Sequence, residues 1–202
     1  MSRGFAPLAL VAAATMAFVQ PARAATAEGA VMVEAAVVET LAPNKFVWAD
    51  AETAEAPARI VVNIAEQRAY VYRGDALIAA TTISTGKAGN ETPSGVFTIL
   101  QKNIDHRSNK YNNAPMPFMQ RLTWDGVAIH AGKNPGFPAS HGCIRVPLAF
   151  AKKLYGITSL GTTVTVIGAD GEIDATPQPA APDAEAGATA AANRAALKLA
   201  SR

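Results

Sequence analysis

Apolar and polar positions alternate through the middle of the chain in the short period of β structure. Arg59-Ile-Val-Val-Asn-Ile64 and Ala69-Tyr-Val-Tyr72 are β-branched and aromatic runs, residue types that suit a pleated, half-buried surface. A polar turn at Glu66-Gln67 joins them, and Arg73-Gly74-Asp75 turns the chain into a third run from Leu77 to Ser84. The three runs predict a meander. Gly86 to Gly95 holds three Gly and one Pro and reads as a loop. Val96 to Leu100, Met119 to Trp124, Val127 to His130 and Thr162 to Ile167 then continue the strand pattern. One helix is predicted from Pro147 to Tyr155, with Pro147 suited to a first turn and Gly156 to a stop. The expected fold is mainly β, a β-sandwich or open barrel carrying one or two short helices. Gln101 to Pro117 breaks the pattern with Asn103, Asn109, Asn112 and Asn113. It is long for a structureless connection and predicts a lid or substrate-binding loop.

The flanks are simpler. Arg3, the apolar run Phe5 to Val19 and the small-residue site Ala22-Arg23-Ala24 have the layout of a secretory signal peptide. The run is short for a bilayer span and lacks a charged stop-transfer flank, which makes a retained membrane helix the weaker alternative. Gly29 to Leu41 can be helical until Pro43 ends it. Thr176 to Pro182 is linker-like, and Ala191 to Leu199 can form a short helix. The expected organisation is therefore a signal peptide at 1–24, an acidic flank at 25–56, one catalytic domain at 57–168 and a Pro/Ala-rich tail at 169–202.

Formal charge is +2 over 202 residues but unevenly placed. Residues 25–56 carry one base against six acids, residues 57–168 twelve against five, and residues 169–202 three against five. Without interleaved basic and aromatic residues, this modest basicity argues against a nucleic-acid partner. It suits an anionic substrate or surface, with ordinary solvated charge as the alternative reading. The acidic flank is expected to be a tether, or a competitor with anionic peptides for the basic core.

Cys143 is the sole cysteine, so it cannot form an intramolecular disulfide. In an exported protein it is a buried inert thiol, a metal ligand or a nucleophile. His130 ends an apolar strand, and the turn-rich segment after it leads to Ser140-His141-Gly142-Cys143. That sequence can bring a histidine and a cysteine together. An imidazolium beside a thiol lowers the thiol pKa and makes a nucleophile. Gly142 permits a tight turn that could aim backbone N–H groups at an oxyanion. Zinc held by His130, His141 and Cys143 is the competing reading, though the spacing fits no familiar structural site.

Ser140-His-Gly-Cys-Ile-Arg145, preceded by Ile129-His130, resembles the signature of the YkuD-type L,D-transpeptidases, which remodel bacterial peptidoglycan. Ile83-Ser-Thr-Gly-Lys87, Thr92-Pro-Ser-Gly-Val-Phe-Thr-Ile99 and Tyr111 to Thr123 with His130-Ala-Gly132 agree with it, so the likeness spans about Arg59 to Gly168. It implies a YkuD-type β fold and no metal or organic cofactor. It makes Cys143 the nucleophile on the carbonyl of the third stem-peptide residue, expelling D-Ala and leaving a thioester. His130 becomes the base, and Gly142 and Cys143 the oxyanion donors, with His141 in the same loop. Arg145 would hold a substrate carboxylate or brace the loop, and Ser140 would contact substrate. Tyr111 and Met116 are lid contacts or apolar anchors, and His106 a substrate-loop or solvent-facing residue. Trp124 is expected to pack at a strand end, with Thr92, Pro93 and Gly95 structural.

The resemblance also implies action on peptidoglycan stem peptides in the periplasm or cell envelope by a monomer, with a stem peptide or a wall-tethered protein as acceptor. A hydrolase using water as acceptor is the second reading, and a non-catalytic peptidoglycan-binding module the third. Two departures stand out. Ala131 replaces the Ser or Thr of several members after the base, so a backbone carbonyl is expected to orient His130. The short interval between His130 and Cys143 implies a shorter hairpin beside the site.

Overall fold

A computed structural model describes Met1, residues 33–49 and residues 56–174. The expected signal segment after Met1, the part of the expected Gly29–Leu41 helix before Val33 and the tail from Ala175 lie outside the described residues, and within the described part of that helix only residues 35–39 are helical. The chain runs through α1 (Ala35–Glu39), β1 (Phe46–Trp48), β2 (Ala58–Asn63), β3 (Arg68–Arg73), β4 (Ala76–Thr82) and β5 (Gly95–Thr98). It continues through β6 (Gln101–Arg107), β7 (Pro115–Arg121), β8 (Ala128–Ala131), β9 (Ile144–Val146), α2 (Leu148–Ile157) and β10 (Thr163–Ile167). A six-stranded sheet has the order β1-β4-β3-β2-β10-β5, and a four-stranded sheet the order β6-β7-β8-β9. The described residues are mainly β with two helices, as the alternation predicts.

The predicted meander is present as antiparallel β2-β3-β4, with Gly74 at φ 55 in the turn between β3 and β4. β2 also pairs in parallel with β10, which makes it a central strand. Its Ile60 and Val62 are buried while Arg59 is exposed. One buried cluster joins Val71, Ile78 and Val166 of the larger sheet to Ile129 and Ile144 of the smaller and to Phe150 and Leu154 of α2. Isolated bridges Ser84↔Arg145 and Gly86↔Ser140 tie the segment after β4 to the smaller sheet.

Helix α2 covers the predicted region but runs past Gly156 to Ile157. Thr158 ends it, its N–H and hydroxyl both donating to Leu154 O. Lys102 Nζ donates to Tyr155 O at 2.7 Å and Thr158 O at 2.5 Å, placing a cation at the negative end of the helix.

Three expectations change. The polar stretch Gln101 to Pro117 is mostly β6 and the start of β7, paired in antiparallel register from Gln101↔Arg121 to Arg107↔Pro115. Only Lys102 and His106 of this edge strand are partly buried and both are polar, so its sequence resembles a loop. The second half of the acidic flank belongs to the domain. Its β1 pairs with β4, Val38 is buried, and Phe46 and Trp48 pack edge-on against Phe150 at 5.7 and 5.5 Å. Finally, β8 and β9 are parallel, so the link between His130 and Cys143 is a crossover rather than a hairpin.

Candidate active site

Parallel pairing of β8 with β9 places Ile129 beside Ile144 and His130 beside Arg145. Extending that register sets Cys143 level with Ala128. Because strand side chains alternate in direction, Ala128, His130, Cys143 and Arg145 share one face. That face lines a cavity of about 770 Å³. The opposite face, with Ile129, Ala131, Ile144 and Val146, enters the core. The strand that carries the histidine is thus anchored by every second residue.

His130 is buried, and its Nδ1 lies 2.8 Å from Ala131 O. A carbonyl only accepts, so Nδ1 carries the proton and Nε2 keeps its lone pair. The expected backbone carbonyl is therefore present, supplied by the neighbouring residue. Burial holds the imidazole pKa down at about 4, with Ala131 O pulling it up and the Arg145 charge adding to the depression. At neutral pH this group is an uncharged base.

Cys143 is half-buried beside Met116, Met119 and Ala128. Its thiol donates to Gly126 O at 3.4 Å. Burial pushes the thiol pKa up, while the Ala128 N–H and the cations Arg145, Arg121 and Lys110 pull it down. The sequence suggests a thiolate beside an imidazolium, whereas the structure favours thiol and neutral imidazole. Desolvation disfavours both charged forms and outweighs the nearby cations at the sulfur.

The loop that presents the thiol is internally braced. Ser140 is fully buried, its hydroxyl donating to Cys143 O at 2.6 Å and accepting from Gly142 N–H at 3.1 Å. Ser140, expected to contact substrate, lines the cavity as well as bracing the loop, and the Gly142 N–H, expected to face an oxyanion, donates to the Ser140 hydroxyl. Gly142 has φ 108, where a side chain would strain the backbone. Thr92 holds the loop from the other side. Its hydroxyl donates to Gly142 O at 2.8 Å and accepts from Gly86 N–H at 2.9 Å. Sequence reasoning treats Thr92 as structural and misses that it reaches the loop carrying Cys143. Only a long-range contact reveals the link.

The other expected residues converge on the cavity wall. His106 projects from β6 opposite Met116, and burial and Arg121 lower its pKa. Tyr111 lies with its ring centroid 4.7 Å from that of the exposed His141. Met116 is buried beneath the thiol, as an anchor would be. Arg145 donates from Nη1 to Ala139 O at 3.3 Å, and its stem packs over Gly132, where a Cβ would come within 3.1 Å of Arg145 Cγ. Trp124, expected to pack at a strand end, is instead exposed on the cavity wall with Arg121 stacked 5.9 Å from its ring centroid. Asn44, from the N-terminal segment, also lines the cavity and carries no sequence signal. His130, His141 and Cys143 do not gather as metal ligands, nor does any other group of three such residues among those described.

The family pattern of the YkuD L,D-transpeptidase catalytic domain matches residues 57–166. A curated Bacillus licheniformis protein named as an L,D-transpeptidase YkuD is 30% identical over 116 residues, covering 54% of this chain and 66% of that protein. An L,D-transpeptidase structure from Stackebrandtia nassauensis superposes with a TM-score of 0.52 at 28% identity, covering 58% of each chain. The structure of an Ldtfm-avibactam carbamoyl enzyme superposes with a TM-score of 0.51 at 30% identity, covering 55% of this chain and 49% of that one. The chain thus spans less than two thirds of the length of each of these relatives.

Proposed function

The chain belongs to the YkuD family of L,D-transpeptidase catalytic domains, and from that premise we propose that it is an exported cysteine acyltransferase acting on peptidoglycan stem peptides in the cell envelope. The carrying observation is that neighbouring parallel strands present His130 and Cys143 on one face, at the wall of one cavity.

The chemistry follows from two neutral partners. With Nδ1–H held on Ala131 O, Nε2 takes the thiol proton as the sulfur attacks the carbonyl carbon of the third stem residue. The tetrahedral adduct collapses when His130 returns that proton to the departing D-Ala nitrogen, leaving a thioester on Cys143. An acceptor amine then loses a proton to Nε2 and attacks the thioester. The thiol is regenerated, and one amide bond has been exchanged for another. Transfer of the proton during attack avoids stabilising a thiolate in a site where burial raises the thiol pKa. Lys110, Arg121, Lys133 and Arg145 line the cavity with Asp125 as their one acidic neighbour among the described residues, a balance that suits an anionic peptide.

Incubation with a disaccharide-tetrapeptide, resolved by mass, tests the proposal. A cross-linked dimer lacking one D-Ala supports acyl transfer to a stem peptide. A tripeptide product means that water is the acceptor, and no product at all would leave a binding role.

A further inference from the structure

Residues 42–45 precede the family match, yet they help close one side of the cavity. Lys45 N–H donates to Thr82 Oγ1 at 3.3 Å and Thr82 N–H donates to Lys45 O at 3.1 Å. Asn134 Nδ2 donates to Thr82 O at 2.7 Å, so the segment, β4 and the loop after β8 are locked together. Pro43 lies against Gly136, where a Cβ would stand 2.7 Å from Pro43 Cγ. These contacts hold the adjoining Asn44 at φ 62 on the cavity wall. Its exposed carboxamide makes no hydrogen bond to another described residue. The exposed Lys133 and the partly exposed Arg145 also line the cavity, with the Arg145 stem packed over Gly132, the residue before Lys133. Among the described residues the cavity's one carboxylate, Asp125, belongs to the turn after β7.

We propose that Asn44, Lys133 and Arg145 form a binding site for the free carboxylate end of a peptide. The inference rests on the acyl-transfer reading and assigns a subsite within it. Lys133 and Arg145 supply opposite charge, and Arg145 can pair with a carboxylate in its planar fork. Asn44 can donate one hydrogen bond to the carboxylate and accept another from the peptide N–H. The N-terminal segment is then a specificity element of the reaction cavity.

The test uses the full chain carrying Cys143→Ala, with a synthetic stem tetrapeptide ending in D-Ala and its C-terminal amide as probes. Titration calorimetry reads both dissociation constants. The acid is expected to bind more tightly than the amide. Lys133→Ala should weaken the acid roughly two- to fivefold, the range of an exposed charge pair, and leave the amide unchanged. Asn44→Asp keeps the size and left-handed backbone tolerance but sets carboxylate against carboxylate, so it should weaken the acid more than Lys133→Ala does. Equal effects on acid and amide, no effect of either substitution, or no measurable binding of either probe would overturn the site. Binding with the expected dependence but no thioester from the unsubstituted chain would refute acyl transfer and leave the subsite standing. Turnover with affinities indifferent to Asn44 and Lys133 would do the reverse.

Discussion

The Thr92 hydroxyl donates to Gly142 O across 2.8 Å, joining positions fifty apart in the chain immediately beneath the cysteine. Thr92 is buried, so water cannot readily replace it. Thr92→Val should leave Gly142 O and Gly86 N–H without this partner, costing about 1–3 kcal/mol of stability. It should also slow acylation by freeing the loop, while Thr92→Ser retains the hydroxyl and recovers most of both. Denaturant unfolding and single-turnover acylation check the pair. Full acylation in Thr92→Val would show that the loop keeps its place without the bond.

Cys143→Ala should form no thioester, because no other cysteine exists in the chain to replace it. Peptide mapping by mass spectrometry decides this. Product from Cys143→Ala would eliminate the thioester route.

His130→Ala should lower the acylation rate by roughly a hundred- to ten-thousandfold, the range for loss of a general base. His141 is exposed and stacked on Tyr111, so His141→Ala should cost much less. Equal losses would mean that the two rings share the proton transfer.

Stability should fall with acid through His130. The unfolded chain takes up the imidazole proton near the ordinary pKa of 6.5, whereas the folded chain does so only near pH 4. The depressed-pKa contribution is therefore complete above pH 6.5, declines between 6.5 and 4, and amounts to roughly 3 kcal/mol once lost. Urea unfolding from pH 7 to 4 should show this decline, and His130→Leu should remove that portion of it. Parallel pH curves for the two proteins would place the proton elsewhere.

A chain beginning at Pro57 should unfold at lower denaturant than one beginning at Val33. It loses β1 and the Phe46 and Trp48 contacts with Phe150, and truncation of a large aromatic contact in a core typically costs about 3–5 kcal/mol. Circular dichroism and urea midpoints measure the difference. Equal midpoints would return the segment to the role of a tether.

The sequence foretells the strands whose two faces differ in polarity. Ile60, Val62, Val164 and Val166 alternate with less buried neighbours, and the larger sheet follows from them. β6 escapes because an exposed edge need not alternate, and β1 because its three residues have meaning only against β4 and α2. Cys143 and His130 stand out through their local motifs. Thr92 and Asn44 do not, since each acquires its place from a partner distant in sequence. The protonation balance is likewise hidden, because burial depends on everything that packs around the site.

The twelve residues between Ala131 and Ile144 are near the shortest chain that can carry one strand end back to begin a parallel neighbour. Deletions there should therefore pull Cys143 out of register with His130. Insertions near the exposed Phe137 can bulge into solvent while both strand ends stay fixed. Lineage change at this position has room in one direction only, and grafted longer loops would be the natural route to altering what reaches Cys143.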